Sequence, residues 1–305
     1  MAEPKILRFY LDAGLRQSAE SGDHNFIGKV ANVAQAAGYR VEYKANSVAE
    51  RLKSAHRRGY ALFHMDDPFH DRALTFRRVY QYPFWAIERS AKRWEWRVAQ
   101  SVFSADNVPR EEAVRFFGYW RNRLFRATGT TPSRDGYVYV PLQGKLQQCR
   151  SFQACTPLEM VQSVLAHDPK RQVVAVLHPK EKYTPSEIAE LDALKNKNPK
   201  LTVETGDMER WLPGCDYVVT QNSSAGFFGL FFEKPCVLFG QIDFHHIALN
   251  AGALGAQNAI EQAPDITPDY AGYVHWFWQQ MSINAGRPDA EDQIRAGLTR
   301  GGCPM

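Results

Sequence analysis

Residues 217–240, YVVTQNSSAGFFGLFFEKPCVLFG, carry the reading on which the fold turns. An apolar β-branched run over 217–220 stops at a small polar cluster, Gln221-Asn222-Ser223-Ser224-Ala225-Gly226. A helix-length apolar segment follows, then Lys234-Pro235 and a second strand-like run over 236–240. The pattern predicts strand, tight polar turn, helix, strand. Such a turn leaves backbone N–H groups and two hydroxyls at a helix N-terminus, where the positive end of the dipole favours an anion. A phosphate or a sugar carboxylate fits that chemistry. The plainer expectation is that Asn222 or Ser223 only caps the helix.

Working outward, the same alternation recurs. Residues 137–142 read as a strand. Thr156-Pro157-Leu158-Glu159 opens a helix with a cap, a proline in the first turn and a reciprocal Glu, and Thr184-Pro185-Ser186-Glu187 repeats it. Strands are expected at 173–177 and 201–204. Toward the N-terminus, 6–11, 40–44 and 60–65 read as strands. A helix over 25–37 closes on Gly38, and Ser47-Val48-Ala49-Glu50 forms a capping box. Repeated β-α-β units with short links imply parallel sheets with right-handed crossovers. The expected fold class is α/β: two Rossmann-like, doubly wound domains facing a cleft.

Residues 69–126 are rich in Arg, Trp, Phe and Tyr. Ile87, Ala91, Trp94 and Val98 recur at helical spacing, and Glu88 and Lys92 are placed for an i,i+4 pair. A second helix is expected over 109–126, burying Ala113, Phe116, Phe117, Trp120 and Leu124, with acids first and arginines last as the macrodipole prefers. The polar stretch 127–136, ATGTTPSRDG, is the expected linker. Domains are thus expected at 1–130 and 137–305.

Composition narrows the function. The chain has 305 residues, 44% hydrophobic and 23% charged, as in ordinary globular proteins. A net charge of +4 gives no case for nucleic-acid binding, so the Arg/aromatic helices read as packing rather than RNA stacking. No apolar run approaches the roughly 20 residues of a membrane span. The opening MAEPKILRFYLDAG lacks the layout of a signal peptide. Five cysteines without CxxC spacing are expected to be free thiols in a reducing cytoplasm.

Ligands in doubly wound sheets sit beyond the carboxyl ends of strands, which selects four places. These are His178-Pro179-Lys180, the Asn222-Ser223-Ser224 turn, Gln143 after the 137–142 strand, and His64-Met65-Asp66-Asp67 with His70 and Asp71 nearby. In order, VPLQ, then a strand ending in HPK, then QNSSAGF before KPCVLFG resemble the capsule-polysaccharide biosynthesis glycosyltransferases. That family uses CMP-Kdo, and the HP and serine motifs are also similar to those of bacterial sialyltransferases using CMP-sialic acid. The resemblance covers 137–240 best, and the first half only in general architecture. It implies a GT-B fold with the donor in the second domain and the acceptor in the first.

Carried over, binding of the nucleotide's phosphate and base falls on His178, Ser223 and Ser224, with Asn222 and Gly226 shaping the turn; Gln143, Pro179 and Lys180 join the expected nucleotide-sugar site by their place at strand ends. The partners implied are a nucleotide-sugar donor and a glycan or glycolipid acceptor. The protein would work in a bacterial cytoplasm, including at the inner face of the membrane. Two positions depart from the pattern. Gln147 stands near a family Asp, and Phe228 replaces a Glu expected to bind ribose. If the catalytic carboxylate lies elsewhere, Asp66 and Asp67 are the first choices for the base that takes the acceptor's proton, although Asp-Asp-Pro is also an ordinary turn sequence. The departures also allow a catalytically silent relative that binds sugar or nucleotide. Asp243-Phe244-His245-His246 has metal-ligating residue types, but without a third ligand or a DxD motif no metal or other cofactor is expected. Tyr273, Trp276, Phe277 and Trp278 are expected to pack the terminal helix back onto the body, one ring being available to stack on a sugar.

Overall fold

Short apolar runs and capped helices build two sheets, each in its own unit. The computed structural model describes residues 3–126, 129, 131–206 and 208–305. Contacts divide the chain into a first unit, Met1–Ser101 with Trp276–Met305, and a second, Val102–His275.

In the first unit, β1 (Ile6–Leu11), β2 (Arg40–Ala45), β3 (Tyr60–His64) and β4 (Ala73–Arg78) run parallel, in the order β2-β1-β3-β4. β5 (Phe84–Glu88) then turns back antiparallel to β4. Phe9, Leu11 and Phe76 form the core with Phe26, Ile27 and Val30 of the helix Asn25–Ala36. Trp85 lies flat on Phe26, ring centroids 4.5 Å apart. Ser47 caps the helix Val48–Ser54 by accepting from the Glu50 N–H, while the Glu50 carboxylate turns to Lys53 and Arg57.

In the second unit all six strands are parallel. They are β6 (Tyr137–Leu142), β7 (Gln172–Leu177), β8 (Leu201–Thr205), β9 (Tyr217–Thr220), β10 (Cys236–Leu238) and β11 (Leu249–Asn250). Their order, β11-β10-β9-β6-β7-β8, is the doubly wound 3-2-1-4-5-6 arrangement with its switch point between β6 and β9. The strands are buried on both faces, which is why they read as continuous Val-rich runs. Both TP-x-E capping boxes form, at Thr156 and Thr184. The helix Arg110–Phe125 buries Ala113, Phe117, Trp120 and Phe125, Phe116 and Leu124 being only half-buried.

Three expectations are corrected. The helix expected from Ile87 to Val98 is instead the end of β5, a turn and a short helical turn at Arg93–Glu95. Phe84, Trp85, Ala86 and Ile87 are all buried, so both faces of the segment are apolar and a strand between neighbours satisfies them where a one-sided helix cannot. Glu88 and Lys92 do not pair; Glu88 accepts from the Arg97 N–H and Lys92 meets Glu95 at 3.2 Å.

The domain boundary also differs. The helix Arg110–Phe125 belongs to the second unit, where Phe117 and Phe125 pack on Phe231 and Phe232. The chain returns to the first unit at Trp276: β12 (Ile283–Asn284) pairs with Trp85 and Phe84, extending that sheet to β12-β5-β4-β3-β1-β2. Trp278 stacks on Phe84 at 4.5 Å and its indole N–H donates to the Val79 carbonyl. Of the expected linker, residues 127, 128 and 130 lie outside the described residues.

Finally, Tyr273, Trp276, Phe277 and Trp278 are buried, so none offers a face to a sugar. All five cysteines are free thiols.

Candidate functional site

At the β6/β9 switch point the second unit holds a cavity of about 280 Å³, toward the lower end of small-molecule pockets. His178 and Pro179 after β7 and Ser223 and Ser224 after β9 line it. The apolar wall includes Tyr139, Leu142, Val176, Met208 and Phe228. No Asp or Glu appears among the described residues lining it.

The histidine is aimed by its neighbours. Its backbone N–H donates to the Tyr183 hydroxyl at 2.8 Å, and that hydroxyl donates to the Leu142 carbonyl at 3.3 Å, tying the ends of β6 and β7 together. Burial pushes the Tyr183 phenol's pKa up, so it stays a donor. His178 Nδ1 accepts the Lys180 N–H at 3.2 Å. In the neutral ring this assigns the proton to Nε2, leaving a donor free for a ligand.

Ser223 is the N-cap: its hydroxyl accepts from the Ala225 N–H, and its own N–H donates to Thr220 Oγ1. Ser224 is exposed and its hydroxyl has no partner among the described residues. The following helix, Ser224–Gly229, is only six residues long and continues as a 3-10 turn, Leu230–Phe232. The macrodipole expected there is therefore slight, and hydroxyls and N–H groups are the donors that count.

Other expected site residues sit around the cavity rather than on its wall. Lys180 is exposed and contributes its N–H to the histidine. Gln143 lies just beyond β6 with its side-chain oxygen buried and without a partner among the described residues. Asn222 is half-buried in the turn. Gly226 allows close packing, since a Cβ there would stand 3.0 Å from Cys236 Sγ and 3.2 Å from the Phe244 ring. Gln147 points away to Ser186 and Glu190 at 3.0 and 2.7 Å. Phe228 does reach the wall, edge-on to Phe125.

Asp66 and Asp67 follow β3 in the first unit. Asp66 accepts from Asn46 at 2.7 Å and pairs with Arg51 at 3.0 Å; Asp67 accepts from the Ala91 N–H at 2.7 Å. Beside them His64, already a candidate from the sequence, meets a residue that sequence reasoning missed, Asp12. His64 Nδ1 stands 3.7 Å from Asp12, which caps the helix Ala13–Glu20 after β1. Burial lowers the His64 pKa, against the opposing pull of Asp12. The signal was an acid directly after a strand, which resembles any helix cap. His70 bonds Ser54 at 2.8 Å. In the 243–246 loop His246 bonds the Tyr273 hydroxyl at 2.9 Å, and no cluster of three metal-ligating side chains occurs among the described residues.

No protein-family model and no characterised relative matches the sequence. Among solved structures, the Thermosulfurimonas dismutans KpsC beta Kdo 2,7 transferase aligns with a TM-score of 0.52 and 14% identity, covering 97% of this chain and 99% of that one. The KpsC beta Kdo 2,4 transferase of the same organism (TM-score 0.45, 11% identity, 88% and 89% covered) adds no argument at that similarity. Nor does the wall teichoic acid polymerase TagF (TM-score 0.28, 9% identity, 98% and 90% covered). The first alignment establishes the fold alone: GT-B-like, two Rossmann-like α/β units.

Proposed function

We propose that the protein is a glycosyltransferase that moves a sugar from a nucleotide donor, CMP-Kdo or a related compound, to a surface glycan or glycolipid. The observation carrying this reading is that His178, Ser223 and Ser224 line one cavity at the switch point of a 3-2-1-4-5-6 sheet. An imidazole N–H and two hydroxyls suit a phosphodiester, and Phe228 offers a face for a base. The base for the acceptor hydroxyl is assigned to Asp66 or Asp67, with His64 beside Asp12 as the added alternative. No helix is long and apolar enough to cross a membrane among the described residues, and a peripheral role at the cytoplasmic membrane face belongs to the same proposal.

Thermal shift with CMP, UDP and GDP tests the donor site. A ligand at a hundred times its Kd adds about 2.7 kcal/mol to the native state. CMP should raise the melting temperature, and His178→Ala should remove that shift. An unchanged shift in the variant would falsify the assignment. A second reading, a silent sugar- or nucleotide-binding relative, draws on Gln147 being tied to Ser186 and Glu190. CMP binding without turnover of CMP-Kdo, with Asp66→Asn, Asp67→Asn and His64→Asn binding CMP as the unmodified protein does, would favour it.

A further inference from the structure

A larger cavity, about 650 Å³, opens at the other edge of the second sheet. Its wall is formed where chain enters the strands: Ser133 and Arg134 precede β6, and Glu233 and Lys234 precede β10, with Tyr270 facing them from the start of the helix Tyr270–His275. Because the sheet is parallel, these amino ends lie a strand's length from His178 and Ser223, about 20 Å for six residues. The two cavities share no residue.

Two groups there are unexplained by the fold. Lys234 is 2% exposed, yet its ammonium donates to the Ser133 carbonyl and meets no carboxylate within ion-pair distance among the described residues. A buried charge without a counter-ion is costly and is normally paired. Tyr270 is 8% exposed, and its hydroxyl is buried with no hydrogen-bond partner among the described residues. Near them Arg134 is exposed, one N–H going to the Pro264 carbonyl. Arg110 and Asp269 neutralise each other at 2.5 Å. On the wall that leaves Lys234 and Arg134 facing Glu233; burial lowers the Lys234 pKa, and Asp216 and Asp135 nearby favour its charged form without pairing with it. The volume exceeds what an inorganic ion needs, and half-buried Pro268 offers apolar surface beside the Tyr270 hydroxyl.

We propose that this cavity is a second binding site, taking an anionic carbohydrate whose carboxylate or phosphate is held by Lys234, Arg134 and the Tyr270 hydroxyl. The site stands independently of the nucleotide cavity.

Melting curves at constant ionic strength, with glucuronate, glucose 6-phosphate, inorganic phosphate and glucose as probes, test it. Glucuronate or glucose 6-phosphate should raise the melting temperature, and whichever acts identifies the anion; glucose should not. Arg134→Gln, on an exposed side chain, and Tyr270→Phe, which keeps the ring, should each weaken the effective probe about tenfold. The effect should persist in saturating CMP. The proposal is overturned if neither sugar anion shifts the melt, if both variants respond like the unmodified protein, if inorganic phosphate binds as tightly as the sugar anions, or if CMP competes.

Discussion

The two switch points differ in how their polar groups are spent. In the second unit, His178 and Ser224 keep donors that no other described residue takes, and the imidazole is oriented by Lys180 and Tyr183. In the first, the corresponding edge satisfies itself: Asp66 with Arg51 and Asn46, Asp67 with Ala91, Asp12 with its helix. An edge with unspent donors can hold a ligand outright, whereas the base proposed at Asp66 or Asp67 would work from within contacts that also hold the fold. The sheets differ likewise. The second is wholly parallel, while the first ends in two antiparallel pairings, one supplied by the returning tail.

Breaking that tail should have the largest effect. Trp278→Ala removes a fully buried ring stacked on Phe84 and should cost about 3–5 kcal/mol. Urea unfolding followed by hydrogen exchange should localise the loss to the first unit, leaving CMP binding intact. Loss of exchange protection in the second unit as well would contradict a separable pair. Next, Gly226→Val drives a side chain against Cys236 and Phe244, at a cost of about 1–3 kcal/mol. Here the second unit should weaken and the first should not.

Tyr183→Phe sharpens the contrast with less damage. It deletes the link between Leu142 and His178 and should cost about 1 kcal/mol. The CMP-induced shift should fall by more than the intrinsic stability does; equal losses would make Tyr183 a structural residue only.

Acid should separate the units most gently. Burial lowers the pKa values of His24, His64 and His70, all in the first unit. The unfolded chain then binds protons more readily than the folded one, so the first unit should begin losing stability as pH falls below the ordinary value of 6.5. His24 Nδ1 also caps a helix through the Ile27 N–H, an acceptor that protonation removes. In the second unit Glu187 is the marker. Burial raises its pKa, but hydrogen bonds from Thr184, Leu146 and Gln147 outweigh this and lower it on balance. Its contribution should therefore persist until pH falls through the ordinary 4.5. Exchange measured between about pH 7 and 5 should show protection falling first in the first unit; the reverse order would refute the contrast.

What the chain announced by itself was local. β6, β9 and both TP-x-E helix starts follow from a few adjacent residues whose caps, prolines and β-branched side chains act over one turn. The HP and serine motifs were legible for the same reason, since both directly follow strands. Long-range burial decided the rest. Phe84–Glu88 became a strand because Ile283–Asn284 and β4 cover its two edges, and no periodicity near Ile87 could encode a partner so distant in sequence. Likewise Tyr183 reaches the Leu142 carbonyl, and Lys234 the Ser133 carbonyl, only once the sheet has brought separate segments together.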